Sequence, residues 1–103
     1  MKLYIAGPMT GYDDLNFPAF HQAKARLIEA GYEVVSPADR GGGEMSWAEY
    51  MKLDLKDMLD CDGIALLPGW EDSTGAGIEV DLGEILEMPN HDVDSWIELK
   101  EVA

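Results

Sequence analysis

Three short apolar runs constrain this chain most: each is cut off by proline or glycine, and each is followed by a longer segment with helical spacing. Lys2–Ala6 reads as a buried strand stopped at Gly7-Pro8. Tyr32–Ser36 reads as a second strand ended by Pro37, and Asp62–Leu67 as a third ended by Pro68-Gly69. After the first strand comes a polar loop, Met9 to Leu15. Asn16 is then expected to cap a helix with Pro18 in its first turn. Phe20, Ala23, Leu27 and Ile28 recur at helical spacing along it, and Gly31 closes it. After the second strand, a glycine loop from Arg40 to Gly43 leads to Ser46 and Glu49. Their spacing is that of a capping box, so a second helix opens there and runs to about Leu59. After the third strand, a loop from Trp70 to Thr74 precedes a third helix. Ile78, Leu82, Ile85 and Leu86 form its apolar stripe, and Pro89 stops it.

Crossovers of this length cannot be hairpin turns. They predict parallel strands with right-handed connections. The expected fold is α/β, a three-layer α/β/α sandwich on a small parallel sheet, flavodoxin-like or Rossmann-like. At 103 residues the chain is expected to form a single domain, 1–103, with an atypical tail over 90–103. The tail reads two ways. Ser95 and Glu98 are placed to cap a last helix, and Trp96–Leu99 equally suits a fourth strand.

Charge narrows the partners. Seven basic side chains against 21 acidic ones leave a net charge of −14. Such a surface repels nucleic-acid polymers and anionic membranes alike. A small anion held locally by backbone amides stays compatible with it. Cys61 stands alone, so no intrachain disulfide is expected and a reducing compartment fits. His21 and His91 have no ligand spacing with it, so no metal site is expected. With no signal-peptide pattern and no apolar stretch of membrane-spanning length, a cytoplasmic location is expected.

In an open parallel sheet, ligands bind beyond the carboxyl ends of the strands. Three loops meet there, starting at Gly7, Ala38 and Pro68. Ser73-Thr-Gly-Ala-Gly77 opens the third helix, where glycines admit a ligand to the backbone and free amides favour an anion. The same residues also suit a plain helix cap and turn. Glu79 falls early in that helix, on the flank of the stripe beside Leu86. Asp54 falls inside the arc of Trp47, Tyr50, Met51 and Met58, and an acid there is costly unless it is paired or has a purpose. Tyr4 lies near the end of the first strand, where a buried hydroxyl needs a partner such as a carboxylate. Two carboxylates and a phenol converging on one pocket suit attack on a sugar's anomeric carbon.

At these residues the chain resembles the nucleoside 2-deoxyribosyltransferase-like proteins, which include the deoxynucleoside 5′-monophosphate N-glycosidases. The similarity is greatest to their small phage and prophage branch. It rests on Tyr4-Ile-Ala-Gly-Pro-Met-Thr-Gly11, Asn16-Phe-Pro-Ala-Phe20, Leu67-Pro-Gly-Trp-Glu71 and Ser73-Thr-Gly-Ala-Gly-Ile-Glu79, and on the Asp54 to Asp62 spacing. It implies cleavage of the N-glycosidic bond of a (deoxy)nucleoside 5′-monophosphate, by hydrolysis or base transfer. Glu79 corresponds to the nucleophile, Asp54 to the acid that helps the base depart, and Tyr4 to the residue that orients the nucleophile. Gly7, Pro8 and Met9 would line the sugar and base site. Ser73, Gly75 and Gly77 would cradle the 5′-phosphate, with Arg40 the nearby cation. The resemblance implies no metal or organic cofactor and a homo-oligomer in which a neighbouring subunit often completes the pocket. The chain departs from the pattern at Asp81 and Gly83, and the part after Pro89 does not resemble the usual final strand and helix. A non-catalytic nucleotide-binding or sequestering module, such as a phage regulator, uses the same pocket without turnover.

Overall fold

The computed structural model describes residues 1–41 and 43–101. Four strands, β1 (Lys2–Ala6), β2 (Glu33–Val35), β3 (Gly63–Leu66) and β4 (Asn90–Asp92), form one sheet in the order β2-β1-β3-β4. Every pairing is parallel: Tyr4 lies opposite Val35 on one side and Ile64 on the other, and Leu66 lies opposite Asp92. Four helices cover it: α1 (Phe17–Glu29), α2 (Trp47–Leu59), α3 (Thr74–Ile85) and α4 (Val93–Glu101). The expected three-layer α/β sandwich is the observed one.

Period-two alternation divides the core in two. Leu3, Ile5, Ala65 and Leu67 face one way and pack with Phe20, Ala23 and Leu27 of α1 and Val93 and Trp96 of α4. Tyr4, Ala6, Ile64 and Leu66 face the other way, onto Met58 of α2 and Ala76 and Val80 of α3. The chain leaves β1 for β2 on one side and reaches β3 on the other. The sheet's topological switch point therefore lies between β1 and β3, where a crevice opens at the strand ends.

α2 begins with the predicted capping box. Ser46 Oγ accepts from the Glu49 amide, and the Glu49 carboxylate accepts from the Ser46 amide. Asn16 departs from expectation. It takes a left-handed conformation (φ 62°) and gives α1 no side-chain cap. Its amide donates instead to the Pro8 carbonyl at 2.9 Å, tying the loop after β1 to the start of α1. Ile28, placed by periodicity on the inner face of α1, is exposed; the buried positions are Phe20, Ala23 and Leu27.

The third helix is rotated from its sequence reading. Ile78, Ile85 and Leu86 are exposed, while Ala76, Glu79, Val80 and Gly83 are buried. The reason is a close approach to the sheet. A Cβ built on Gly83 would lie 2.5 Å from Ile64 Cδ1. Small residues let α3 settle against β3, and of the expected stripe only Leu82 packs against the core. Gly83 is thus the contact that seats the helix.

Of the tail's two readings the helix is the observed one: Trp96–Leu99 lies inside α4, which opens earlier than expected, at Val93, and follows a strand at Asn90–Asp92. Asp92 caps the helix by accepting from the Ser95 amide at 2.7 Å, so Ser95 lies past the cap. Burial of Trp96 selects the helix. Its indole donates to the Ile64 carbonyl at 2.9 Å, its own carbonyl accepts from the Tyr32 hydroxyl, and its ring packs edge-on against Tyr32 and His91. Among the described residues, no helix is long and apolar enough to cross a membrane.

Candidate active site

A cleft of about 760 Å³ opens at the carboxyl end of the sheet. Its walls come from the loop after β1 (Gly7, Pro8, Met9), from α2 (Trp47, Tyr50, Met51, Asp54), and from the start of α3 (Ser73, Gly75, Glu79). Gly7 is there for room: a Cβ at that position would lie 2.7 Å from Leu67.

Tyr4 lies behind Glu79. It is wholly buried in β1, and its hydroxyl donates to Glu79 Oε2 at 2.5 Å. Glu79 reaches it because α3 packs so closely over β1 and β3. The carboxylate is 4% exposed, the most buried acid in a chain dominated by acids. Removal from water pushes its pKa up to about 8, the Tyr4 hydrogen bond pulls against that rise, and the Asp54 charge adds to it. Burial, with the Glu79 charge next, also raises the Tyr4 pKa, so its hydroxyl stays a donor.

Asp54 lies on the α2 wall, with its side chain 15% exposed. Burial raises its pKa, and the Arg40 guanidinium opposes the rise. Arg40 comes from the 3-10 turn Pro37–Arg40 after β2 and bridges two acids one helical turn apart. It is 3.4 Å from Asp54 Oδ1 and 2.6 Å from Asp57 Oδ2. Sequence reading named Arg40 as a phosphate candidate; its charge is instead directed at Asp54 and Asp57. Both carboxyls are thus held above their ordinary range, and the guanidinium counters the rise at Asp54.

Ser73 is the N-cap of α3, its Oγ accepting from the Ala76 amide at 3.2 Å. It also lines the cleft, as does Gly75, whose added Cβ would come within 3.2 Å of Met51 Sδ. Gly77 is in the first turns of α3 but not on the cleft wall, and an added Cβ there meets nothing within 4 Å. Gly7, Pro8, Met9, Asp54, Ser73, Gly75 and Glu79 line one cavity, and Tyr4 reaches it only through its hydrogen bond to Glu79.

Sequence reasoning missed the rim. Tyr12, Leu15 and Phe17 close one side, and Asp72 stands beside Ser73. Asp14, Leu15 and Asn16 all have positive φ, between 50° and 62°, which shapes the rim into a left-handed turn. A lone polar loop before a helix carries no periodic signal for such a turn. Among the described residues, no group of three His, Cys, Asp or Glu side chains is arranged to hold a metal.

No curated protein matches this chain. A solved 2-deoxyribosyltransferase from the psychrotolerant bacterium Bacillus psychrosaccharolyticus is similar in fold, with a TM-score of 0.63 at 22% identity. The similarity covers 87% of this chain and 69% of that one. A family model described as a domain of unknown function (DUF4406) matches residues 1–90, and the chain belongs to that family.

Proposed function

We propose that this protein cleaves the N-glycosidic bond of a nucleoside or nucleotide, with Glu79 as nucleophile and Asp54 as proton donor. One observation carries the reading: a carboxylate buried to 4% exposure, held by a tyrosine hydroxyl, on the wall of a cleft that a second acid also lines. Burying a carboxyl this deeply is unfavourable, and a structural role explains it poorly beside an open cleft.

The reaction uses the pair when it holds one proton. With substrate bound, that proton lies on Asp54 and Glu79 is anionic. A Glu79 oxygen attacks C1′ as the C1′–N bond breaks, through a transition state of oxocarbenium character. The departing nitrogen takes the bonding electron pair and the proton from Asp54. Tyr4 holds Glu79 in line and stabilises its negative charge. Water then attacks C1′, Asp54 accepts its proton, and Glu79 is released; an acceptor base in place of water gives transfer. Two inversions at C1′ retain its configuration. The aromatic rim of Tyr12, Phe17, Trp47 and Tyr50 supplies stacking faces for a base.

A second copy of the chain belongs to the same reading. Ile78 and Ile85 on α3 and Leu86 just after it are exposed apolar side chains that a homo-oligomer would cover.

The test is a chromatographic screen for free base released from common nucleosides and their 5′-monophosphates. Base release by the wild type, and its loss in a folded Glu79→Ala variant, is the expected result. No release from any of them refutes the proposal.

A further inference from the structure

We infer that Asp57 is a positioning residue for the proposed reaction: it holds the Arg40 guanidinium off Asp54, so that Asp54 can carry the proton that the departing base receives. The inference rests on the glycosidic reading above and deepens it at Asp54.

The geometry of three side chains carries it. Asp54 and Asp57 stand one helical turn apart on α2, and a single guanidinium nitrogen of Arg40 faces both. The two contacts are unequal. At 2.6 Å the bond to Asp57 is a short, charge-assisted one, while at 3.4 Å the approach to Asp54 lies beyond the usual N–H···O range. Asp54 lines the cleft, and neither Arg40 nor Asp57 does. The cation is therefore committed to the acid outside the cavity. Arg40 Nε is buried and has no hydrogen-bond partner among the described residues. A two-pronged grip on Asp54 would use a second donor of this kind, and the observed arrangement forgoes it.

The backbone leaves this choice to the side chains. The turn that carries Arg40 is pinned: Ser36 Oγ accepts from the Ala38 amide at 3.2 Å, the Gly41 amide donates to the Ala38 carbonyl at 3.1 Å, and Ala38 is buried. The guanidinium can only pivot between two acids on a fixed helix, and Asp57 decides where it rests.

The consequence is chemical. An aspartate gripped by arginine stays ionised through the neutral range and has no proton to give. A buried aspartic acid with no cation near it holds its proton too firmly to serve as the base in the water step. Asp54 lies between these extremes: burial favours its neutral form, Arg40 favours the charged one, and the Asp57 charge works against Arg40. The other groups that act on it are Glu79 from α3 and Tyr4 from β1, with Tyr12 and Asp72 on the shared cleft wall. None of them is a cation, so the resting place of one guanidinium sets how far Asp54 ionises.

Two variants and two readouts test this. In protein labelled with carbon-13 at its aspartate carboxyls, the Asp54 resonance is assigned by its loss in Asp54→Asn and followed against pH. Asp57→Asn frees the guanidinium to close on Asp54, so the Asp54 midpoint should fall by about one pH unit, and Arg40→Gln should raise it by about as much. A midpoint that Asp57→Asn leaves in place, or that both variants move in the same direction, overturns the inference. The second readout is base release from 2′-deoxynucleosides and their 5′-monophosphates. For Asp57→Asn, kcat should fall about tenfold with KM nearly unchanged, and the acid limb of the pH–rate profile should move to lower pH. Asp57→Glu should restore both. A loss of kcat that is the same at every pH marks a merely structural role and overturns the inference. If the Asp54 midpoints move as expected and no protein releases base, the hold of Asp57 on Arg40 stands and the glycosidic reading fails.

Discussion

Glu79→Gln separates the energetic cost of the candidate site from its chemistry. The substitution keeps the shape of the side chain, and its amide oxygen still accepts from Tyr4. It removes only the ionisation. In the wild type that ionisation works against folding at high pH. The Glu79 pKa is raised from an ordinary 4.5 to about 8, chiefly by burial. The fold therefore favours the protonated form. Its contribution is complete below about pH 4.5, and it is lost as the pH rises through the folded value. At ~1.4 kcal/mol per pH unit, the wild type should lose about 4 kcal/mol of stability from this group between pH 5 and pH 9. That is a large share of the ~5–15 kcal/mol that holds a domain of this size together. Asp54, also raised, adds a slope of the same sign, but it does so in both proteins, so their difference reports Glu79. Urea unfolding followed by tryptophan fluorescence at pH 5, 7 and 9 measures it. The two proteins should be nearly equally stable at pH 5, and the glutamine variant clearly the more stable at pH 9, while it releases no base. A difference that does not change with pH refutes the placement of an ionisable, buried Glu79.

Other expectations follow from the same geometry. Base release should be greatest where the carboxyl pair holds one proton. It should fall above about pH 8 as the pair loses its last proton, and fall again in acid as the pair gains a second one. Tyr4→Phe removes the hydrogen bond that lowers the Glu79 pKa, so the alkaline limb of a pH–rate profile should move upward and kcat should drop about tenfold or more. An unmoved limb would show that the hydroxyl does not act on Glu79. Gly83→Val inserts atoms where even a Cβ would lie 2.5 Å from Ile64 Cδ1, and should cost about 1–3 kcal/mol in denaturant unfolding. Ile85→Asp, on the outer face of α3, should leave the unfolding midpoint nearly unchanged and shift the species seen in sedimentation velocity toward monomer. A wild type that already sediments as a monomer contradicts the proposed covering of that face.

The order of strands and helices was legible in the sequence because each element is signalled locally. β1, β2 and β3 are short apolar runs ended by Pro or Gly, α2 opens on a capping box, and Gly31 ends α1 in a positive-φ conformation. The carboxyl-edge rule then brought Tyr4, Asp54 and Glu79 toward one end of the sheet. What the sequence could not decide was rotation and pairing. Periodicity placed Leu86 inward on α3 and Glu79 at the edge, yet the inner face is made of Ala76, Glu79, Val80 and Gly83. Hydrophobicity reports the transfer of a side chain from water; it does not report how close two backbones can come, and closeness governs here. Arg40 likewise carries one positive charge in the sequence whatever it faces. Only the packing of the turn after β2 against α2 turned it toward Asp54 and Asp57, where it offsets a carboxylate of the cleft wall.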